Sequence, residues 1–196
     1  VISSLFVVGK VYEALYWKNV PQKGLSENTE HSVDYFFNTN GIDYKTGEVS
    51  RGAAIALWVT DKELSLVERV IGYGLGASSS SKTITNGEIA RRYNPLAIDA
   101  TTLAIILWDG GVLSLVLYLF ILISGIYLSF GIERKNIENT EIAAYARSSR
   151  VGLVLLLMTV GYNSVLITDP SSQMFLAWIF GYLGYASKLD INAISK

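Results

Sequence analysis

Apolar and polar positions along the chain fall into two regimes. Lys, Arg, Asp and Glu recur through residues 10–99 and then almost vanish over three long stretches. Gly110 to Ile132 runs 23 residues without a charge, Val151 to Thr168 runs 18, and Pro170 to Ser187 another 18. A helix needs about 20 mainly apolar residues to cross a bilayer. In lipid every backbone N–H and C=O must find a partner within the protein, which leaves helices as the reading for such runs. The pattern predicts an all-α polytopic membrane protein with three C-terminal transmembrane helices, the second and third joined as a tight hairpin by the turn Thr168-Asp-Pro-Ser-Ser172. A water-soluble protein with three long buried helices in succession is the competing reading.

Ahead of the spans the pattern is mixed. Val1 to Gly9 is too short to span and lacks the basic flank of a secretion signal. It reads as the end of a preceding transmembrane helix in a longer chain, or else as a short core element. Residues 10–50 are polar and rich in turn residues, with Asn40-Gly41 and Thr46-Gly47 the clearest turns. Val33–Phe37 and Ile42–Tyr44 are candidate short strands. Gly52 to Glu68 predicts a helix too short and too charged to span. Ile71 to Ser81 is a glycine-serine loop, and Pro95 marks a helix start within the polar stretch 82–99. The domain plan is residues 1–9 as a helix end, 10–99 as one large outward region with short helices and loops, and 100–132 as an interfacial segment and span. A loop over 133–150, a hairpin over 151–187 and a tail over 188–196 complete it.

Composition and charge sharpen this plan. Only 17% of residues are charged, against about 25% in soluble domains. The formal net charge of −1 gives no support for a nucleic-acid partner, which calls for a concentrated basic face. The absence of cysteine excludes thiol chemistry and disulfides, and the single histidine, His31, excludes a site built from several His ligands. The 133–150 loop carries Arg134, Lys135, Arg147 and Arg150, whereas the loop around Asp169 carries neither Lys nor Arg. Cytoplasmic loops hold the positive excess, so 133–150 and the C-terminal tail are expected in the cytoplasm and residues 10–99 outside. The ten Lys and Arg residues of that outer region do not oppose this, because long segments translocate largely regardless of charge.

Chemistry has few candidates. Asp109, between Trp108 and Gly110-Gly111, is an ionisable group at membrane depth if Thr101–Leu107 are embedded, and a functional candidate for that reason. If those residues lie along the interface, Trp108 is an interfacial anchor and Asp109 is solvated. Gly110-Gly111 would permit a helix kink or close packing. Gly72, Gly74 and Gly76 either let backbone amides approach an anion or form a plain flexible loop. Arg51, Arg69, Arg91 and Arg92 face outward, and an arginine fork suits a diphosphate, although a lone arginine also serves as an ordinary solvated surface residue.

In order, Ser50-Arg51-Gly52 followed by Trp58, the loop Ile71-Gly-Tyr-Gly-Leu-Gly76, and Leu103–Leu107 running into Asp109-Gly-Gly-Val-Leu113 resemble the C-terminal part of the O-antigen ligase and O-antigen polymerase superfamily. The resemblance covers roughly residues 50–190, and the order of the motifs carries it. It implies a multi-pass protein of the bacterial inner membrane whose outward region is periplasmic. It also implies a metal-independent glycosyltransferase without a cofactor. The donor would be a polyprenyl-diphosphate-linked glycan, and the acceptor a sugar hydroxyl on lipid A core or on another glycan. Arg51 then matches the arginine that holds the diphosphate, while Gly72, Gly74, Gly76, Arg69, Arg91 and Arg92 become candidate substrate contacts. Ligases usually carry a histidine shortly before the acidic-glycine step. Ile98-Asp99-Ala100-Thr101 has none, which leaves Asp99 as the candidate base and the choice between ligase and polymerase open. The alternative from another class is a non-enzymatic membrane component, a transporter subunit or assembly partner.

Overall fold

Short polar helices come first in the chain and long apolar ones follow. A computed structural model describes residues 37–80 and 85–194, with side chains through Lys188. The helix end expected over Val1–Gly9, His31 and all but Phe37 of the strand expected over Val33–Phe37 lie outside the described residues.

Helix α1, Arg51–Thr60, starts where the Ser50 side chain accepts from the Ala53 amide, the usual device for satisfying a free helical N–H. Asp61 ends it in an extended conformation, and its carboxylate accepts from the Glu63 amide. The chain re-enters helix at α2, Leu66–Ile71, through a reciprocal capping box between Ser65 and Glu68. The single helix expected over 52–68 is therefore two, because Asp61 and Ser65 each hydrogen-bond the local backbone better in a turn than inside a helix. Helix α3, Glu88–Arg92, is a single turn ahead of Pro95, and Pro95 sits in the following loop rather than starting a helix. The strand expected at Ile42–Tyr44 reduces to one antiparallel bridge between Ile42 and Val49 across the Asp43–Gly47 turn. Too few residues separate the flanking turns to build a ladder, and no strand occurs among the described residues.

Three long helices make up the rest. Helix α4, Thr102–Lys135, is one element broken by a kink at Gly111, where φ is 65°. Helix α5, Thr140–Thr159, begins with Asn139 accepting from the Ile142 amide. Residues 133–150, expected as a loop, are helical except for a turn over 136–139. The charge-free run 151–168 is likewise not one helix: α5 stops at Thr159, a break follows, and the short α6, Val165–Thr168, leads into α7, Pro170–Ile194. Glycine and hydrogen-bonding side chains in Gly161-Tyr-Asn-Ser164 disfavour helix continuation.

Two apolar cores result. One lies in a small head, where Ala53, Trp58, Leu64, Ile89, Leu96 and Ile98 enclose Ala104, Leu107 and Trp108 from the start of α4. The other joins α4, α5 and α7 through Leu122, Leu153, Ile179 and Leu183. Helix α4 thus belongs to both, buried in the head before its kink and largely uncovered after it. Among the described residues, α4 and α5 are long and apolar enough to cross a membrane, with mean hydropathies of 2.4 and 1.2 over their best windows. Helix α7 is long enough but less apolar, since Ser171, Ser172 and Gln173 open it and tyrosines interrupt it.

Candidate functional site

The glycine loop and the kink of α4 form one construction. Gly72, at φ 72°, lies so close to α4 that a β-carbon there would stand 2.3 Å from the Asp109 carbonyl oxygen. Gly111 reciprocates, its missing β-carbon falling 2.4 Å from the Val70 carbonyl oxygen. Only glycine tolerates both the left-handed backbone and the approach. Across this seam the Tyr73 amide donates to the Trp108 carbonyl at 3.0 Å and the Gly74 amide to the Asp109 carbonyl at 2.8 Å. The Asp109 carboxylate turns back into the loop and accepts from the Gly76 amide at 2.7 Å and the Ser78 amide at 2.8 Å.

Of the two readings of the glycine run, a cradle for an anion or a plain flexible loop, the end at Gly76–Ser78 is closer to the first, since its amides hold a carboxylate of the same chain. Asp109 is 8% exposed and Trp108 fully buried. The expectation of Trp108 as an interfacial anchor beside a solvated Asp109 does not hold, because the first turns of α4 are inserted into the head. The desolvation cost of that carboxylate is offset by charge-assisted hydrogen bonds, which are stronger than neutral ones.

A second network holds the arginines of the head. Arg92 is paired with Asp61 and, at 3.1 Å, with Glu63, and its guanidinium lies over the rings of Tyr73 and Tyr93. The Tyr93 hydroxyl donates to Asp61 at 2.9 Å. Burial and that bond to a carboxylate push the Tyr93 phenol up to about 12. Arg69 donates to the Asp61 carbonyl at 2.8 Å and lies over the Trp58 ring, tying α2 to the end of α1. Arg91 is exposed at the end of α3, where its amide donates to the Gly87 carbonyl at 2.9 Å. Asp61, which anchors this network, drew no notice in the sequence. The signals open to inspection were Asp61 itself and the aromatic residues around it.

The remaining candidates gather at the break between α5 and α6. Arg51, the first residue of α1, donates from Nε to the Tyr162 carbonyl and stacks over the Tyr162 ring at 4.7 Å. The same break closes the start of α4. The Thr102 amide and hydroxyl both donate to the Asn163 carbonyl at 2.8 Å, and the Leu103 amide donates to the Val160 carbonyl at 2.9 Å. Orphan N–H groups at one helix start and orphan C=O groups at the end of another satisfy each other. Asp99 stands three residues before Thr102 and accepts from the Ser80 amide at 3.1 Å and the Ser80 hydroxyl at 2.8 Å. Arg51 is thus tied to the helix break and Asp99 to Ser80 at the end of the glycine-serine loop, whereas Arg69 and Arg92 are engaged around Asp61.

Fold and site together define a helical protein with two helices long and apolar enough to cross a membrane, carrying a small head folded around the kinked start of the first. No known family, curated protein or solved structure matches the chain.

Proposed function

We propose that the chain is part of a multi-pass inner-membrane enzyme that transfers a glycan from a polyprenyl diphosphate to a sugar hydroxyl, as an O-antigen ligase or polymerase does. Helices α4, α5 and α7 cross the bilayer in this reading, with the head in the periplasm and the 136–139 turn in the cytoplasm. The low burial of the apolar windows supports it: 17% in α4 and 22% in α5. The core helix of a water-soluble protein would be mostly covered by its own chain. A charged clasp at the far end fits the same orientation, since Glu133 pairs with Arg147 at 2.7 Å and Arg150 at 2.6 Å and so closes α4 on α5.

The observation that carries the enzymatic reading is the placement of Arg51 beside the helix break, where the head meets the long helices. In the reaction, an acceptor hydroxyl attacks the anomeric carbon, its proton passes to a base, and the bond from that carbon to the diphosphate oxygen breaks. Asp99 is the candidate base. Arg51 stabilises charge on the departing diphosphate, an electrostatic contribution that is often the largest single one. Membrane lipids surround the protein, and lipid A core or another glycan supplies the hydroxyl.

The non-enzymatic reading, a transporter subunit or assembly partner, has one observation in its favour. The Asp109 carboxylate fills the glycine loop, and Arg69 and Arg92 are bound by their own chain. In that case Arg51 serves as a tie to Tyr162.

Arg51→Lys separates the two, because it keeps the charge and loses the fork. Transfer would be measured in cells lacking the native protein, alongside membrane abundance and the unfolding midpoint in detergent. The transferase reading expects severe loss of transfer at normal abundance and midpoint, with Arg134→Lys unaffected. Transfer at the parent's level refutes the donor contact, and loss that tracks a lowered midpoint assigns Arg51 to the structural tie.

A further inference from the structure

We infer that α2 and the glycine loop form an interfacial foot, which rests in the outer leaflet beside α4 and sets the depth at which the head sits. The inference depends on the membrane-embedded reading of α4 and goes beyond it.

The foot is apolar where it is uncovered. Leu66 is 79% exposed, Val67 61%, Ile71 55%, and Leu75, at the loop tip, 100%. Its charges are turned inward or locally bound. Glu68 is held by the Ser65 amide, which also keeps its carboxyl below the usual range, and Arg69 is bound to the Asp61 carbonyl. What remains for the surroundings is a hydrophobic face.

Depth follows from the seam. Val70 and Gly72 touch Gly111, so the foot stands level with the start of the uncovered part of α4, where Val112, Leu113 and Val116 are exposed. At about 1.5 Å per residue, the 23 charge-free residues from Gly110 reach about 34 Å, slightly more than a hydrocarbon core of about 30 Å. Gly111 therefore lies at the outer hydrocarbon boundary, and the apolar faces of foot and helix are continuous there.

The backbone fits the same surroundings. A loop entering an apolar medium must bond its own N–H groups. The amides of Tyr73, Gly74, Gly76 and Ser78 all donate to Trp108 or Asp109, and that of Ala77 to the Gly74 carbonyl, so that from Tyr73 to Ser78 the Leu75 amide alone stands outside this pairing. The buried carboxylate is what prepares the loop for this medium. A soluble partner would bury the same side chains, but neither its level against α4 nor the amide pairing calls for one.

The chain has no cysteine, so single-cysteine spin labelling needs no background removal. Nitroxides at Leu66→Cys, Val67→Cys and Leu75→Cys would be compared in phospholipid vesicles with Leu117→Cys and Phe120→Cys on α4 and with Lys62→Cys in the head. Collision with oxygen reports lipid, and collision with a polar nickel chelate reports water. The foot expects labels that behave like the α4 positions, several-fold richer in oxygen collisions than Lys62→Cys. Foot labels that behave like Lys62→Cys while α4 labels remain lipidic overturn the foot and leave the membrane reading standing. Labels shielded from both reagents overturn it in favour of a protein contact. Aqueous behaviour at α4 as well removes the membrane reading, and the foot with it.

Discussion

Asp109 ties the head to the long helix α4. Its carboxylate reaches two amides 33 and 31 residues earlier in the chain and joins the loop to the long helix. Asp109→Asn puts an amide nitrogen opposite one of those N–H groups, so one hydrogen bond to a charged acceptor is lost and its donor is left buried. The expected cost is about 1–3 kcal/mol, with Asp109→Ala more severe because both donors lose their partner. Unfolding in detergent followed by tryptophan fluorescence checks this, since Trp108 is adjacent and fully buried. Stability equal to the parent in the alanine variant would mean that water reaches the loop and replaces the carboxylate. Both parts of this contact were visible in the sequence as oddities, a lone acid before an apolar run and a glycine-rich loop. Their pairing was not, because nothing local relates residue 76 to residue 109.

Among elements, the seam between α2 and the kink of α4 leaves no room for a side chain at either of its glycines. Gly72→Ala and Gly111→Ala each add a left-handed non-glycine residue and a β-carbon inside a backbone contact. Each should destabilise by about 3 kcal/mol, from strain of about 1–3 kcal/mol plus overpacking. Gly74 also has positive φ, at 102°, but no atom lies within 4 Å of where its β-carbon would be. Gly74→Ala should therefore cost only the strain, about 1 kcal/mol. Equal losses at Gly72 and Gly74 in the same unfolding assay would refute the close seam. The kink itself was legible in Gly110-Gly111. The helix break at 160–164 lies inside a run that carries no charge, and its role in capping α4 was not legible there, because it needs the two ends to meet in space.

At the scale of the molecule, one end gathers the head, the break and the start of α7, and the other gathers the charged clasp at Glu133. If the membrane lies between them, Glu138→Cys should react with an impermeant thiol reagent only from the cytoplasmic side. Ser171→Cys and Lys62→Cys should both react from the periplasmic side. Reaction of Glu138→Cys and Ser171→Cys from one side would remove the proposed orientation and, with it, a periplasmic site at Arg51.

Local composition was enough to determine that the C-terminal half is built of long helices, two of them apolar enough to cross a membrane. Transfer of a segment out of water depends on the residues it contains, so a charge-free run reports its preference without reference to the rest of the fold. Helix starts at Ser50 and Ser65 were likewise written locally, in side chains that reach an amide three residues on. Tertiary structure alone decided that the first turns of α4 lie inside the head, that Asp109 fills the glycine loop, and that Arg51 meets Tyr162. Those contacts join residues 31 to 111 positions apart, and their energies exist only once the intervening chain has folded them together.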